Sequence, residues 1–251
     1  MTDLRAILFD VNGTLIDIET DEGQHKIYRA ISRFLTYQGV MLAPDEIQER
    51  YFTAMAAQRA GSRERYPEYD VVAIWRGLLQ TAGLTPEILP VEKLRQLPVF
   101  LAELHRALAR KRLALYPDVR PVLDALRRHY ALGVVSDAQS AYAVPELRAA
   151  GLGDCFATII VSGDYGYRKP DPRLFTAALQ ALAVRPDQAI YVGNDMYCDI
   201  FGAQQAGLRT VFWPTQFGKK AYGDVAPDYV IDRFAQLPAA VAFLAARSPR
   251  D

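Results

Sequence analysis

Residues 6–14 read Ala-Ile-Leu-Phe-Asp-Val-Asn-Gly-Thr. The first four are apolar, and Asp10 and the Gly13-Thr14 pair end the run. A short apolar run bounded in this way predicts a strand buried on both faces, as in the middle of a parallel sheet. Ligands of such sheets bind beyond the carboxyl ends of the strands, so Asp10 stands where chemistry is expected.

The pattern changes after this strand and changes again near Pro117. Between about Asp21 and Lys111 apolar residues recur at helical spacing, which predicts a helical block. From Pro117 onward helical segments alternate with short apolar runs at 131–135, 157–161, 189–192, 210–213 and 229–231. This alternation predicts an α/β fold with a parallel sheet. We therefore expect a core domain of residues 1–14 and 113–251 and a helical lid of residues 15–112.

Composition excludes several classes of function. Twenty-nine basic and 29 acidic residues cancel, so there is no general excess of positive charge for nucleic acid. Cys155 and Cys198 are too few and too far apart for a disulfide framework. No apolar stretch resembles a signal peptide or approaches the ~18 residues of a membrane span. We expect a cytoplasmic protein without nucleic-acid or membrane partners; the sequence does not predict its oligomeric state.

Polar residues follow the predicted strands at one edge of the sheet. They are Asp10, Asn12 and Thr14 after the first strand, Ser136 after the second, Lys169 after the third, and Asn194, Asp195 and Asp199 after the fourth. Several carboxylates at one edge repel each other unless a cation intervenes. Oxygen ligands favour Mg²⁺, which Asp10 and Asp195 could hold.

The same residues suggest a covalent mechanism. Asp10 could act as a nucleophile and form an aspartyl intermediate. Thr14 and Ser136 would donate hydrogen bonds to phosphoryl oxygens, and Lys169 would offset charge in the transition state.

The sequence resembles the haloacid dehalogenase superfamily of hydrolases. Four of its motifs occur in order, at 7–15, 134–136, 168–172 and 192–199. The resemblance implies a Rossmann-like core with an inserted α-helical cap domain, Mg²⁺ as cofactor, and a small phosphorylated molecule as substrate. The segment 63–69 of the cap is either a solvated loop or a loop that selects the substrate.

The first departure from the family pattern is at Asn12. Phosphatases of the family usually carry a second Asp there, as the acid and base of the reaction. An amide cannot exchange that proton, and such catalysis contributes roughly 10²–10⁴ in rate. The backbone carbonyl of residue 12, which binds Mg²⁺ in the family, is unaffected by the change.

The second departure is the order Gly193-Asn194-Asp195, where the family usually has Gly-Asp. Counting back from Asp199 aligns either Asn194 or Asp195 with the metal ligand. An anionic oxygen binds Mg²⁺ better than an amide, so we predict Asp195 as the ligand. Asn194 and Asp199 would then have supporting roles, with Asp199 bracing Lys169.

Three functions are compatible with these residues. The first is a Mg²⁺-dependent phosphohydrolase in which Asp10 is phosphorylated. The second is a 2-haloacid dehalogenase, since a halide leaves without a proton, although Arg29 and Arg33 of the cap have no neighbouring Trp as in those relatives. The third is a pseudoenzyme that binds phosphate without turnover.

Overall fold

The computed structural model describes residues 3–246. Its strands are β1 (Ala6–Phe9), β2 (Ile16–Thr20), β3 (Arg110–Leu115), β4 (Ala131–Ser136), β5 (Thr158–Val161), β6 (Ala189–Gly193), β7 (Arg209–Phe212) and β8 (Tyr229–Val230). Its α-helices are α1 (His25–Tyr37), α2 (Pro44–Gly61), α3 (Val71–Thr81), α4 (Val91–Ala109), α5 (Val119–Leu126), α6 (Ser140–Ala149), α7 (Pro172–Ala181), α8 (Gly202–Gln205) and α9 (Leu237–Ala246).

A parallel sheet forms the centre of the molecule, in the strand order β5-β4-β1-β6-β7-β8. The predicted α/β class and parallel sheet are confirmed. All four residues of β1 are buried. Ile7 and Phe9 belong to one apolar cluster, and Ala6 and Leu8 to another on the opposite face. The strand is therefore covered on both sides, as its apolar run predicts.

The four helices α1 to α4 share a separate apolar cluster around Tyr28, Tyr51 and Trp75. Tyr142 of α6 also belongs to this cluster, so the helical block packs onto the core domain as well as onto itself. Asp70 caps α3 by accepting a hydrogen bond from the Ala73 N–H at 2.9 Å. Among residues 3–246, no helix has both the length and the apolar character that crossing a bilayer requires.

The sequence pattern predicts a helical segment over residues 15–112, but the structure shows that this segment also contains strand residues. Strand β2 lies at its start and strand β3 spans its end, and the two strands pair antiparallel and join the helices to the core. The alternation of Ile16 and Ile18 with Asp17 and Glu19 is typical of a half-buried strand and explains the difference. A boundary between lid and core at residues 15 and 112 stays a prediction.

Candidate active site

The topology brings three strand ends together. Because β1 lies between β4 and β6, Asp10, Ser136 and Gly193 follow or end neighbouring strands at one edge of the sheet. The Asp10 N–H donates to the Val192 carbonyl at 3.0 Å, so the backbone of the aspartate continues the sheet pairing. A side chain held by a buried strand has little freedom, which suits a group that must meet a substrate in one orientation.

Lys169 forms the centre of a buried charge cluster at this edge. Its Nζ donates to Asp10 Oδ1 at 2.7 Å and to Asp199 Oδ1 at 2.6 Å. A third bond reaches the hydroxyl of Tyr191 at 3.2 Å. Lys169, Asp10 and Asp199 are all buried. One cation thus lies between two carboxylates, and the cluster keeps one net negative charge.

Burial and charge act in opposite directions on these groups. Burial disfavours the charged lysine, but the carboxylates of Asp10 and Asp199 outweigh it and raise the pKa of Lys169 well above its usual value. Burial likewise raises the pKa of Asp10, and Lys169 opposes that rise. The short contact between the two makes the ion pair the state that fits the geometry.

Thr14 and Asn194 lie on the other side of the Asp10 carboxyl group. Thr14 Oγ1 is 3.0 Å from Asp10 Oδ2 and 3.2 Å from Asn194 Oδ1. Gly13, the residue before Thr14, has φ +86°, and a Cβ at this position would stand 2.6 Å from Asn194 Nδ2. A glycine is needed at that turn both for its backbone angle and for the close approach of Asn194.

Asp195 is not part of this group. Its Oδ1 accepts from the Tyr197 and Cys198 N–H groups at 2.8 Å, and its Oδ2 accepts from the Lys219 N–H at 2.8 Å. The carboxylate therefore caps a π-helical turn at Met196–Phe201. Asn194 rather than Asp195 shares the Thr14 hydroxyl with Asp10, and the predicted metal-ligand role of Asp195 stays a prediction.

Asp199 supports two parts of the site at once. Its Oδ1 holds Lys169, and its Oδ2 accepts from the N–H groups of Asn194 and Asp195 at 3.0 Å each. A Cβ at Gly193 would stand 2.5 Å from Asp199, so this loop passes directly over the carboxylate. Asp199 thus fixes both the lysine and the backbone of the loop that carries Asn194.

Asn12 and Ser136 each have a side-chain oxygen without a hydrogen-bond partner among the described residues. Asn12 lies in the wall of a cavity of about 290 Å³ between the sheet edge and the helical block. Among the described residues, Asn12 Oδ1 and Ser136 Oγ are buried without a hydrogen-bond partner. A buried polar atom without a partner costs free energy unless a ligand or water satisfies it. Both atoms are thus available to a bound molecule.

The segment 63–69 of the helical block lies against the core just before Lys169. The Arg168 N–H donates to the Tyr66 carbonyl at 2.9 Å, and the Glu68 N–H donates to the Gly166 carbonyl at 3.0 Å. Glu68 and Tyr69 line the cavity. The segment therefore packs against the core, and its role in selecting a substrate stays a prediction.

Tyr191, Arg106 and Asp137 are parts of the site that the sequence interpretation missed. Tyr191 is the single hydroxyl-bearing residue in the buried run of β6, a signal that could have indicated a polar contact. Asp137 Oδ1 accepts from the Lys169 N–H at 2.8 Å, so it helps to place the lysine backbone. Arg106 comes from α4 and lines the cavity, and the sequence does not show which part of the core this face of α4 meets.

Comparison with known proteins decides the family. The sequence model of haloacid dehalogenase-like hydrolases matches residues 4–207. The chain belongs to this family.

Relatives in the haloacid dehalogenase-like hydrolases include a phosphoserine phosphatase of Thermus thermophilus, 35% identical over 68% of this chain and 63% of the relative. A glyceraldehyde 3-phosphate phosphatase of Pyrococcus furiosus is 34% identical over 48% of this chain and 52% of the relative. The matched region thus spans between half and two thirds of these relatives.

Solved structures of the family cover nearly the whole chain. A 2-haloacid dehalogenase from Pseudomonas syringae pv. Tomato is 25% identical, with a TM-score of 0.65, and the match covers 96% of this chain and 99% of that one. A haloacid dehalogenase-like phosphatase from Thermococcus onnurineus is 26% identical, with a TM-score of 0.57, over 95% and 98% of the two chains. The Rossmann-like fold is confirmed, and the two neighbours carry different chemistry.

The donor set beside Asp10 fits the magnesium of haloacid dehalogenase-like phosphatases. Asp10 Oδ2 and Asn194 Oδ1 converge on one Thr14 hydroxyl, whose single proton can serve only one of them at a time. With the backbone oxygen of Asn12, these atoms are all hard oxygen ligands, which Mg²⁺ prefers. Across residues 3–246 no cluster of three His, Cys, Asp or Glu side chains offers a more acidic alternative.

Proposed function

We propose that the protein is a Mg²⁺-dependent phosphohydrolase that acts on a small molecule through an aspartyl-phosphate intermediate. The observation that carries the proposal is the buried Asp10 carboxylate, held by Lys169 at 2.7 Å and by Thr14 at 3.0 Å. This carboxylate follows the central strand β1, two residues before Asn12, which lines the cavity.

The hydrogen bonds from Lys169 and Thr14 hold the Asp10 carboxylate in one orientation, as a nucleophile requires. An Asp10 oxygen attacks phosphorus while the bond to the leaving oxygen breaks, and that oxygen takes the electron pair. Water then attacks phosphorus, the bond between phosphorus and the Asp10 oxygen breaks, and the carboxylate is restored while the protons of the water leave with the phosphate or pass to solvent. Lys169, freed from part of its contact with Asp10, offsets negative charge on the phosphoryl oxygens. The unpartnered Ser136 hydroxyl is placed to donate to one of them.

Bound Mg²⁺ would be held by Asp10, the Asn12 backbone oxygen and Asn194, and would neutralise charge on the transferring phosphoryl group. We assign the ligand role to Asn194 rather than Asp195, because three N–H groups occupy the Asp195 carboxylate. With a single carboxylate among these ligands, the site should bind Mg²⁺ weakly until a phosphate adds its own oxygens.

Asn12 restricts the substrates. The amide of Asn12 cannot protonate a leaving oxygen. Substrates whose leaving group is stable as an anion, such as acyl phosphates, anhydrides and aryl phosphates, should therefore react fastest. Alkyl phosphates, whose leaving oxygen needs a proton, should react slowly.

The test is phosphate release from acetyl phosphate, pyrophosphate and p-nitrophenyl phosphate, with Mg²⁺ and with EDTA. We expect Mg²⁺-dependent release that Asp10→Asn abolishes. Asp154→Asn, the same change at an exposed surface residue, is the matched control and should keep full activity. No release from any of the three, or equal release in EDTA, would contradict the proposal.

A 2-haloacid dehalogenase is the second candidate, because Asn12 removes a proton donor that a departing halide does not need. The structural likeness to a dehalogenase also supports it. Chloride release from 2-chloropropionate without metal would favour this function over the first. If neither chloride nor phosphate is released while phosphate binds, the protein is a phosphate-binding pseudoenzyme.

A further inference from the structure

The loop that follows β7 packs against Asn194, the residue to which the proposed function gives a ligand role. A Cβ at Gly218 of this loop would stand 2.5 Å from the Asn194 carbonyl oxygen. The Met196 N–H, two residues after Asn194, donates to the Lys219 carbonyl at 2.9 Å. The loop also supplies Thr215, which is buried next to the Asn194 side chain. Thr215 lies beyond residue 207, where the match to the sequence model of the family ends.

The Thr215 hydroxyl has one proton, and the Gly13 carbonyl takes it. Thr215 Oγ1 donates to that carbonyl oxygen at 2.7 Å. A carbonyl oxygen can only accept, so the hydroxyl has no proton left for a second acceptor. Any further group that bonds to Thr215 Oγ1 must therefore be a donor. The structure places Asn194 Nδ2 there, at 3.2 Å.

Thr14, on the other side of the Asn194 side chain, cannot make the same distinction. Its hydroxyl is 3.2 Å from Asn194 Oδ1 and 3.0 Å from Asp10 Oδ2. A hydroxyl can donate or accept, so Thr14 could bond to either end of the amide. The negative charge of Asp10 would by itself favour the NH₂ end. Thr215 is thus the neighbour that selects the observed orientation.

The orientation matters because only one end of the amide can bind a cation. Asn194 Oδ1 is a hard oxygen ligand, whereas the NH₂ group only donates hydrogen bonds. We infer that Thr215 is a positioning residue, which holds the Asn194 amide with its oxygen toward Asp10. This inference rests on the proposed function, in which Asn194 binds Mg²⁺.

An amide at position 194 needs such a partner, and a carboxylate does not. An aspartate has two equivalent oxygens, so either orientation presents a ligand to the metal. The contribution of Thr215 to Mg²⁺ binding should therefore depend on whether residue 194 is Asn or Asp. A contribution that came only from packing of the loop should be the same in both cases.

The test measures the dissociation constant of Mg²⁺ for the full chain by titration calorimetry, with inorganic phosphate present. Thr215→Val keeps the shape of the side chain but removes the acceptor. We expect it to raise the dissociation constant by about tenfold, the effect of losing one buried hydrogen bond. Thr215→Ser keeps the hydroxyl and should bind Mg²⁺ as the parent does. Thr176→Val, the same change at an exposed threonine of α7, is the matched control and should leave the constant unchanged.

The decisive comparison repeats Thr215→Val together with Asn194→Asp. We expect the loss of Mg²⁺ affinity to disappear there, so that Asn194→Asp binds Mg²⁺ equally with and without Thr215→Val. An equal loss in both backgrounds, or a loss in Thr215→Ser as large as in Thr215→Val, would overturn the positioning role. If Thr215→Val does not fold, Thr215→Ala is compared with Thr215→Ser in the same two backgrounds.

Phosphate release from acetyl phosphate separates the positioning role from the proposed function. If the variants change Mg²⁺ affinity as expected but the parent releases no phosphate, the positioning role stands and the phosphohydrolase is wrong. If the parent releases phosphate with Mg²⁺ but Thr215→Val binds Mg²⁺ as tightly as the parent, the phosphohydrolase stands and the positioning role is wrong. A parent that binds no Mg²⁺ would contradict both.

Discussion

At the scale of single residues, Asn12 has the largest consequence for rate. Asn12→Asp restores a group that can donate and accept a proton beside the leaving oxygen. We expect the turnover of glycerol phosphate to rise by roughly 10²–10⁴. Steady-state phosphate release measures it, and Asn12→Ala, which removes the amide without adding an acid, is the control. An unchanged rate in Asn12→Asp would mean that another part of the machinery is missing.

Asn194 should have the largest effect on the affinity for Mg²⁺. Asn194→Asp adds a second carboxylate beside Asp10 and should tighten Mg²⁺ binding by about tenfold or more, because charge on the ligand strengthens its attraction to a divalent cation. Titration calorimetry with MgCl₂ measures the dissociation constant. Asp195→Asn is the matched variant one residue along and should leave it unchanged. Loss of Mg²⁺ binding in Asp195→Asn would return the ligand role to that residue.

At the scale of elements, we expect Asp195 to stabilise the π-helical turn Met196–Phe201 and not to take part in the reaction. Asp195→Ala leaves the N–H groups of Tyr197, Cys198 and Lys219 without their acceptor. We expect a loss of about 1 kcal/mol in the free energy of unfolding, the usual cost of a lost helix cap. Urea denaturation measures it, and Asp195→Asn, which keeps an acceptor oxygen, should lose less. Equal stability of the alanine variant and the parent would contradict the capping role.

Sequence patterns predicted the elements of the core better than those of the lid. The buried runs of β1, β4 and β6 are mainly apolar, and polar residues stand at or just after the end of each, so their pattern indicates buried strands. The strand Ile16–Thr20 was missed because five residues of alternating pattern next to a long helical block carry little signal.

The same limit applies within the active site. Lys169 and Asp199 could be placed at one sheet edge from chain order alone. The choice between Asn194 and Asp195 could not be made in that way, because one residue along a loop reverses the direction of the side chain. It depends on which N–H groups of the following π-helical turn need an acceptor.

At the scale of the whole molecule, His105 couples the stability of the helical block to pH. The ring is fully buried, with Nε2 3.2 Å from the Tyr28 hydroxyl, and burial lowers its pKa from 6.5 to about 4. The unfolded chain therefore binds a proton that the folded chain excludes. Stability should be full above pH 6.5 and fall by about 3 kcal/mol as the pH drops toward 4.

Urea denaturation at a series of pH values from 4 to 7.5 measures this dependence. His105→Gln is the control, because its side chain does not titrate in that range. The difference in the free energy of unfolding between the parent and the variant should change with pH in the predicted window. A constant difference across the window would show that His105 is not the titrating group.

The strand order has a consequence for how the protein is made. β1 lies at the centre of the sheet, yet both of its neighbours, β4 and β6, come much later in the chain. During synthesis the segment bearing Asp10 leaves the ribosome long before it has a partner, whereas α1 to α4 follow at once and pack mainly on each other. The helical block can therefore fold first, and the catalytic edge is completed only when Gly193 emerges. Until then the apolar run Ala6–Phe9 lacks the neighbouring strands that pair with it in the folded protein.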